Sequence, residues 1–278
     1  MKLKTLLKIS RPKFWLYLAG PFLVGFTAGS SHLADFASIN FWILLLFFLV
    51  PANIFLYGIN DLFDIPTDKY NKKKKSSEHL LQKSETKSLK TVLLLCLVMT
   101  VVVVWILPNL TSQLWLLGFI FLATFYSSPP LRFKSSPLLD FSSNLLYAIP
   151  GFVGFSTLTN SSISKEVILA AFCWTGAMHL FSAIPDITAD KKAGITTSAV
   201  FLGEKKSLLL CTVLWFSCAL TVQLIFGLTL TTLIAFIYPL IALLVFFKKN
   251  PDLPKIYRYY PYINTLFGFI LFLAVAFK

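Results

Sequence analysis

Nine apolar runs, each close to the length needed to cross a bilayer, follow one another along this chain of 278 residues. A transmembrane helix needs about 17–25 predominantly apolar residues. The sequence therefore predicts an all-α polytopic membrane protein, with nine helices bundled around a central cavity in a single domain over residues 1–278. The runs cover residues 14–30, 40–60, 90–107, 113–128, 138–157, 165–184, 206–226, 229–247 and 259–277.

Composition and charge placement support the same interpretation. Only 13% of the residues are charged and the mean hydropathy is +0.75, whereas soluble domains carry about 25% charged residues. With a cytoplasmic N-terminus, 23 of the 25 lysines and arginines fall on the cytoplasmic side, as the positive-inside rule requires. The basic excess thus reflects topology and attraction to anionic membrane lipid, not nucleic-acid binding.

A first group of acidic residues ends the second apolar run, in the segment YGINDLFDIPTDKYNKKKK. At 100° per residue, Asp61, Asp64 and Asp68 fall within about 60° of one another on a helix. Asn53, Tyr57 and Asn60 extend this arc to roughly 100°, and Asn53 and Asn60 are candidate diphosphate ligands. Because Pro66 cannot complete the helical hydrogen-bond ladder, we expect that Asp68 lies beyond a kink.

A second pair, Asp186 and Asp190, lies four residues apart at the end of the sixth run. Both acidic groups are predicted on the cytoplasmic side, at similar depth. Inserting an aspartate into the membrane costs roughly 2.5–3.5 kcal/mol at the centre of a span and less towards the interface. Bound divalent cations would offset that cost and the mutual repulsion. Oxygen ligands suit Mg²⁺, which typically joins one or two carboxylates to substrate phosphates, so all five aspartates are candidate metal ligands and catalytic residues.

A basic loop follows the fourth run, in the segment FYSSPPLRFKSSP. Arg132 can donate two hydrogen bonds to phosphate oxygens, and Lys134 adds a mobile positive charge. Lys191, directly after Asp190, is a similar candidate. Metal and basic groups on a diphosphate, at the mouth of an apolar bundle, indicate ionisation of an allylic diphosphate. The resulting cation needs a dry pocket and is stabilised by aromatic faces.

These residues resemble the motifs of the UbiA superfamily of intramembrane prenyltransferases. The matching segments are N60-D61-x-x-D64-x-x-x-D68, D186-x-x-x-D190, the loop YSSPPLRFK and the pair Arg11-Pro12. The resemblance implies an all-helical fold in which both aspartate motifs bind Mg²⁺ and an isoprenyl diphosphate. It also implies assistance from Asn60 and from the loop residues Tyr126, Arg132 and Lys134, and a hydrophobic acceptor that enters from the bilayer.

Within the superfamily, the segments DKYNKKKKSSE and MHLFSAIPDITADKKAGITTSAVFLG resemble the branch that contains lycopene elongases. The R-P-x-x-x-G segment usual in quinone- and chlorophyll-type members is missing. The resemblance implies transfer of a C5 unit from dimethylallyl diphosphate to lycopene, towards C45 and C50 carotenoids. His179 lies in the second of these segments. Two roles stay open for it: a catalytic residue on the acceptor side of the site, or a hydrogen-bonded histidine inside the helix bundle.

Two other functions stay open at this point. A quinone precursor or a glyceryl ether lipid could replace lycopene as acceptor. An ion-coupled transporter would also use intramembrane acids, but transporters place them near the midplane between repeated halves, and this chain has no evident repeat.

Overall fold

The computed structural model describes residues 1–68 and 79–277, and every regular element in these two ranges is helical. Short 3₁₀ turns join several of the helices. The α-helices are α1 (Leu3–Ile9), α2 (Leu16–Gly29), α3 (Ile39–Leu49), α4 (Pro51–Asp68), α5 (Thr86–Ile106), α6 (Leu110–Ser127), α7 (Leu139–Ser142), α8 (Ile149–Leu158), α9 (Lys165–Ala183), α10 (Ile187–Ala193), α11 (Ser198–Leu202), α12 (Glu204–Phe226), α13 (Leu230–Leu233), α14 (Ile237–Phe247), α15 (Leu253–Tyr257) and α16 (Tyr260–Ala276).

Six helical segments of the described chain are long and apolar enough to cross a membrane. The predicted all-helical membrane fold is confirmed, while the count of nine spans stays a prediction. A seventh apolar helical segment, Ile234–Phe247, is shorter. The six segments are Ile39–Pro66, Lys83–Ile106, Leu110–Ser127, Lys165–Ala193, Glu204–Phe226 and Leu253–Ala276.

Three of the predicted runs are not continuous α-helices. The run 40–60 divides at Val50 into α3 and α4, and two others divide into shorter pieces. The run 138–157 divides into α7, a 3₁₀ turn (Ser143–Tyr147) and α8, and it contains the acid Asp140 and a proline at position 150. The run 229–247 divides into α13, a 3₁₀ turn and α14. Pro239 has no N–H for the carbonyl one turn before it, which favours the interruption ahead of α14. Apolar composition predicted all three segments but not their breaks.

The chain divides into two compact units, of which the first comprises Met1–Arg132, Leu146–Ser162 and Val275–Lys278. In this unit, α2 packs closely on α8 through glycines. A Cβ added to Gly25 would overlap the carbonyl of Gly151, and one added to Gly154 would lie 2.7 Å from the Phe22 carbonyl oxygen. Small residues let membrane helices approach to backbone contact, so these glycines position both helices.

The junction between α3 and α4 is stabilised by Asn53. Its amide nitrogen donates hydrogen bonds to the carbonyls of Phe48 (2.7 Å) and Leu49 (3.0 Å), which end α3 just before Pro51. The side chain is fully buried. Asn53, which the sequence predicts to bind the diphosphate, thus stabilises the junction of two helices.

The second unit comprises Phe133–Leu145 and Ile163–Ala274. Its core is an aromatic cluster in which the rings of Trp215 and Tyr260 are stacked, with centroids 5.7 Å apart, and Phe181 lies 4.9 Å from Tyr260. These side chains come from α12, α16 and α9, and all three are buried. Aromatic pairs of this kind add about 0.5–1.5 kcal/mol each beyond area burial, so the cluster anchors α9, the helix that precedes the second motif.

Candidate active site

The first aspartate motif occupies the C-terminal half of α4, in the first unit. Asp61 and Asp64 are only 2% and 7% exposed, and residues three apart lie side by side on a helix. The helix continues through Pro66 and ends at Asp68, so the expected kink does not end it. The side chain of Asp68 lies outside the described part of the structure.

Arg11 is a cation in direct contact with the first motif. Its guanidinium donates to the Asp61 carboxylate at 2.8 Å, and the two side chains are 11% and 3% exposed. The same guanidinium lies over the ring of Tyr57, 4.6 Å from the centroid. The pair Arg11-Pro12 was part of the family resemblance, but sequence separation gave no sign that Arg11 contacts Asp61.

The backbone of Arg11 has a φ of 50°, in the left-handed region. A bulky residue is seldom found there, and such conformations cost about 1–3 kcal/mol and cluster at functional sites. Arg132 shares the feature, with a φ of 38°. The first unit thus holds two arginines in strained conformations, one of them ion-paired with the first motif.

Aromatic rings adjoin Arg11 and Asp61. Tyr57 is buried, with its hydroxyl 3.5 Å from that of Tyr147. The ring of Tyr147 lies edge-on to Tyr17, and Phe14 packs near both Tyr17 and Tyr57. Electron-rich ring faces near the first motif can stabilise an allylic cation.

Asn60 and the basic loop meet in the first unit. The Asn60 side-chain oxygen accepts a hydrogen bond of 2.7 Å from the hydroxyl of Ser127, at the end of α6. Tyr126, the preceding residue, is half-buried. Arg132 has a buried Nε for which the described structure provides no hydrogen-bond partner. An orphaned guanidinium N–H is the kind of donor that a phosphate oxygen would satisfy.

In the second unit, the second motif spans a 3₁₀ turn and a short helix. Asp186 ends the turn Ile184–Asp186, and Asp190 lies in α10. Both are half-buried and they interact electrostatically. Lys134, only 9% exposed, interacts with Asp190, which places one predicted phosphate ligand beside this motif. Lys191 is exposed.

Asp140 is a functional candidate that the sequence reasoning missed. It lies in α7, is fully buried, and interacts electrostatically with both Asp190 and His179. Its Oδ2 accepts from the backbone N–H of Ser198 at 2.7 Å, and its Oδ1 accepts from the Ser198 hydroxyl. An acid inside an apolar run was a visible signal, but Asp140 belongs to no repeated motif.

The residues present fit Mg²⁺. Each unit brings together oxygen donors of acidic side chains, the ligand type that Mg²⁺ prefers. Across residues 1–68 and 79–277, no three His, Cys, Asp or Glu side chains gather as a ready-made metal site. Mg²⁺ does not need one, because it usually binds one or two carboxylates, substrate phosphates and water.

Comparison with known proteins decides the family. The model of the UbiA prenyltransferase family matches residues 18–266. The chain belongs to the UbiA prenyltransferase family. The predicted enzyme class, prenyltransferase, and the predicted superfamily are thereby confirmed, and the chain is an integral membrane protein.

Relatives within the family show which branch this chain resembles. The chain is 38% identical over 277 residues to the lycopene elongase/hydratase of Haloferax volcanii, covering 100% of this chain and 90% of that protein. It is 37% identical to the lycopene elongase/hydratase of Halobacterium salinarum, covering 98% and 96% of the two chains. The predicted likeness to the lycopene elongase branch is confirmed.

A solved structure shares the fold. The structure of a UbiA homolog from Archaeoglobus fulgidus, bound to DMAPP and Mg²⁺, superposes with a TM-score of 0.75 at 22% identity. The match covers 98% of this chain and 99% of the homolog. The helical arrangement of this prenyltransferase is therefore that of its family.

Proposed function

We propose that this prenyltransferase transfers an isoprenyl group from dimethylallyl diphosphate to lycopene, in an Mg²⁺-dependent reaction that leads to C45 and C50 carotenoids. The observation that carries the proposal is full-length similarity to lycopene elongase/hydratases. The Archaeoglobus fulgidus homolog, whose structure contains DMAPP and Mg²⁺, supports the donor and the metal.

The carboxylates have one task in this proposal. Mg²⁺ held by Asp61, Asp64, Asp68, Asp186 and Asp190 would supply positive charge to the departing diphosphate. In the first unit the buried pair Asp61 and Asp64 is fixed by its helix, so these ligands need little rearrangement. Preorganised charge is usually the largest contribution to lowering such a barrier.

The basic side chains orient the diphosphate. Arg132 can donate its buried Nε–H to a phosphate oxygen, and Lys134 adds a charge-assisted bond from beside Asp190. Asn60 holds Ser127 by a hydrogen bond and thereby fixes the end of α6, from which this loop starts. Such bonds hold the leaving group while the C–O bond breaks.

The aromatic and apolar side chains protect the cation. Tyr57 and its ring neighbours in the first unit offer π-faces, worth about 0.5–2 kcal/mol to a nearby cation. Apolar walls exclude water, which would otherwise quench the allylic cation. The acceptor is a hydrocarbon and can approach through the membrane.

Membrane orientation belongs to the proposal as well. We place the N-terminus and both aspartate motifs on the cytoplasmic side, because 23 of 25 basic residues then face the cytoplasm. Reporter fusions at the N-terminus and in the loop around residues 159–163 should report opposite sides. A cytoplasmic signal from that loop would overturn the orientation.

The test of function is a product analysis. The chain is expressed in cells that make lycopene and dimethylallyl diphosphate, and the pigments are weighed by mass spectrometry. We expect a gain of one or two C5 units that is absent in an Asp64→Ala strain with equal amounts of membrane protein. Unchanged lycopene beside folded protein would refute the acceptor and redirect the assay to quinone precursors and glyceryl ether lipids.

A further inference from the structure

A buried carboxylate, Asp140, is held rigidly in the second unit. Both side-chain oxygens accept hydrogen bonds from Ser198, and the backbone carbonyl accepts from Asn144 Nδ2 at 2.6 Å and from Ser143 Oγ at 3.3 Å. Removing a carboxylate from water costs several kcal/mol unless other groups compensate it. A group that is buried at such cost and so firmly oriented needs a reason beyond packing.

The helix α7 that carries Asp140 lies directly against α9. A Cβ added to Gly176 would lie 3.0 Å from the ring of Phe141, the residue after Asp140. His179 follows Gly176 by one helical turn, and it interacts electrostatically with Asp140. The two helices thus approach closely one turn before His179.

His179 lies in the same helical segment as the second motif, Lys165–Ala193. It precedes Asp186 by seven residues and Asp190 by eleven, with a 3₁₀ turn between His179 and α10. At 1.5 Å per residue, His179 is about 10 Å from Asp186 along the axis, towards the apolar middle of the span. Asp140 interacts electrostatically with both Asp190 and His179, so it connects the histidine with the second motif.

The chemistry proposed above requires a proton acceptor. The allylic C–O bond breaks and its electron pair leaves with the diphosphate. The π-electron pair of a terminal double bond of the acceptor then forms the new C–C bond, which leaves a carbocation on the acceptor. That cation becomes an alkene when an adjacent C–H bond gives its electrons to the new double bond and releases a proton.

We infer that His179 takes this proton, and that Asp140 is its positioning residue. The proton moves from carbon to the neutral imidazole, and the resulting imidazolium is stabilised by the neighbouring Asp140 carboxylate. A carboxylate that orients and stabilises a histidine in this way is the logic of the Ser-His-Asp triad. Of the other charged side chains near the motif, Asp186, Asp190 and Lys134 are assigned to the diphosphate end. The inference rests on the proposed function.

The test compares the two products that can form from the carbocation on the acceptor, an alkene by proton loss and an alcohol by water addition. Wild type and His179→Gln are assayed in membranes with lycopene and dimethylallyl diphosphate, and the alkene and the water-addition product are separated by mass. A positioned base typically contributes about 10²–10⁴-fold, so we expect the alkene-to-alcohol ratio to fall at least about tenfold. A purely structural role would lower both products equally.

Matched variants keep the outcome decisive. Ser182→Ala, on the same helix, removes only a bond from its hydroxyl to the His179 carbonyl and should keep the wild-type ratio. Ser198→Ala removes one of the two bonds to the Asp140 carboxylate and should shift the ratio in the same direction by less. A wild-type ratio in His179→Gln would overturn the inference. Absence of any longer carotenoid from the wild type would instead refute the proposed function.

Discussion

Asp61 in the first motif faces a permanent cation, whereas Asp190 in the second faces two other carboxylates and one lysine. The Arg11 guanidinium lies 2.8 Å from the Asp61 carboxylate, and the two side chains are only 11% and 3% exposed. Asp190 interacts with Asp186, Asp140 and Lys134. In the first cluster an arginine is thus ion-paired directly with an aspartate, whereas in the second a lysine and two further carboxylates interact with Asp190.

The difference shows that the two acidic clusters are stabilised in different ways. A buried ion pair keeps Asp61 ordered at low dielectric without a bound ion. Asp186 and Asp190 of the second cluster are half-buried, so their charges are screened more than that of Asp61. We therefore expect that the first unit depends on the Arg11–Asp61 ion pair for stability.

The largest expected effect tests whether both clusters are needed. Asp64→Ala and Asp186→Ala should each lower turnover by about 10³-fold or more, because charge stabilisation of the leaving group is the main catalytic contribution. Activity is measured with lycopene and dimethylallyl diphosphate, and the melting temperature reports folding. Full activity in either folded variant would remove that cluster from the metal site.

The next effect addresses the ion pair of the first unit. Arg11→Met leaves Asp61 buried without this cation, so the protein should lose about 3–5 kcal/mol of stability. Added Mg²⁺ should recover part of that loss by binding Asp61. Thermal unfolding with and without Mg²⁺ is the measurement.

The exposed neighbour Lys13 provides the control for this variant. Lys13→Met should leave the melting temperature nearly unchanged at both Mg²⁺ concentrations. Equal melting temperatures for Arg11→Met and Lys13→Met would show that Asp61 does not rely on Arg11.

A smaller effect is expected for Lys134, the buried lysine that interacts with Asp190. Lys134→Met removes a charge-assisted hydrogen bond of about 1.5–3 kcal/mol, so KM for the diphosphate should rise about 10- to 100-fold. Lys134→Arg should restore part of the affinity, because the charge is kept. If Lys134 serves only to neutralise Asp190, KM will stay constant and only stability will fall.

The smallest effect concerns Lys191. Its side chain is exposed, and exposed charges contribute at most about 1 kcal/mol. Lys191→Ala should therefore change KM for the diphosphate less than about fivefold. A loss as large as that of Lys134→Met would contradict this expectation and favour Lys191 as a diphosphate ligand.

The sequence by itself determined the all-helical membrane fold and the family. Runs of apolar residues act locally, and motifs such as N60-D61-x-x-D64 lie within one helix, so their geometry follows from helical periodicity. The loop YSSPPLRFK could be recognised because its residues are contiguous in the sequence.

Only the tertiary structure decided how the charges are paired. Arg11 is 50 residues from Asp61, and Ser198 is 58 residues from Asp140. Such pairs depend on helix packing, which here includes backbone contact at Gly25 and Gly154, and no periodicity encodes it. The breaks in the run 138–157 that leave Asp140 in a short helix also depend on its neighbours. Burial raises the cost of every unpaired charge, so packing decides which side chains compensate each buried acid.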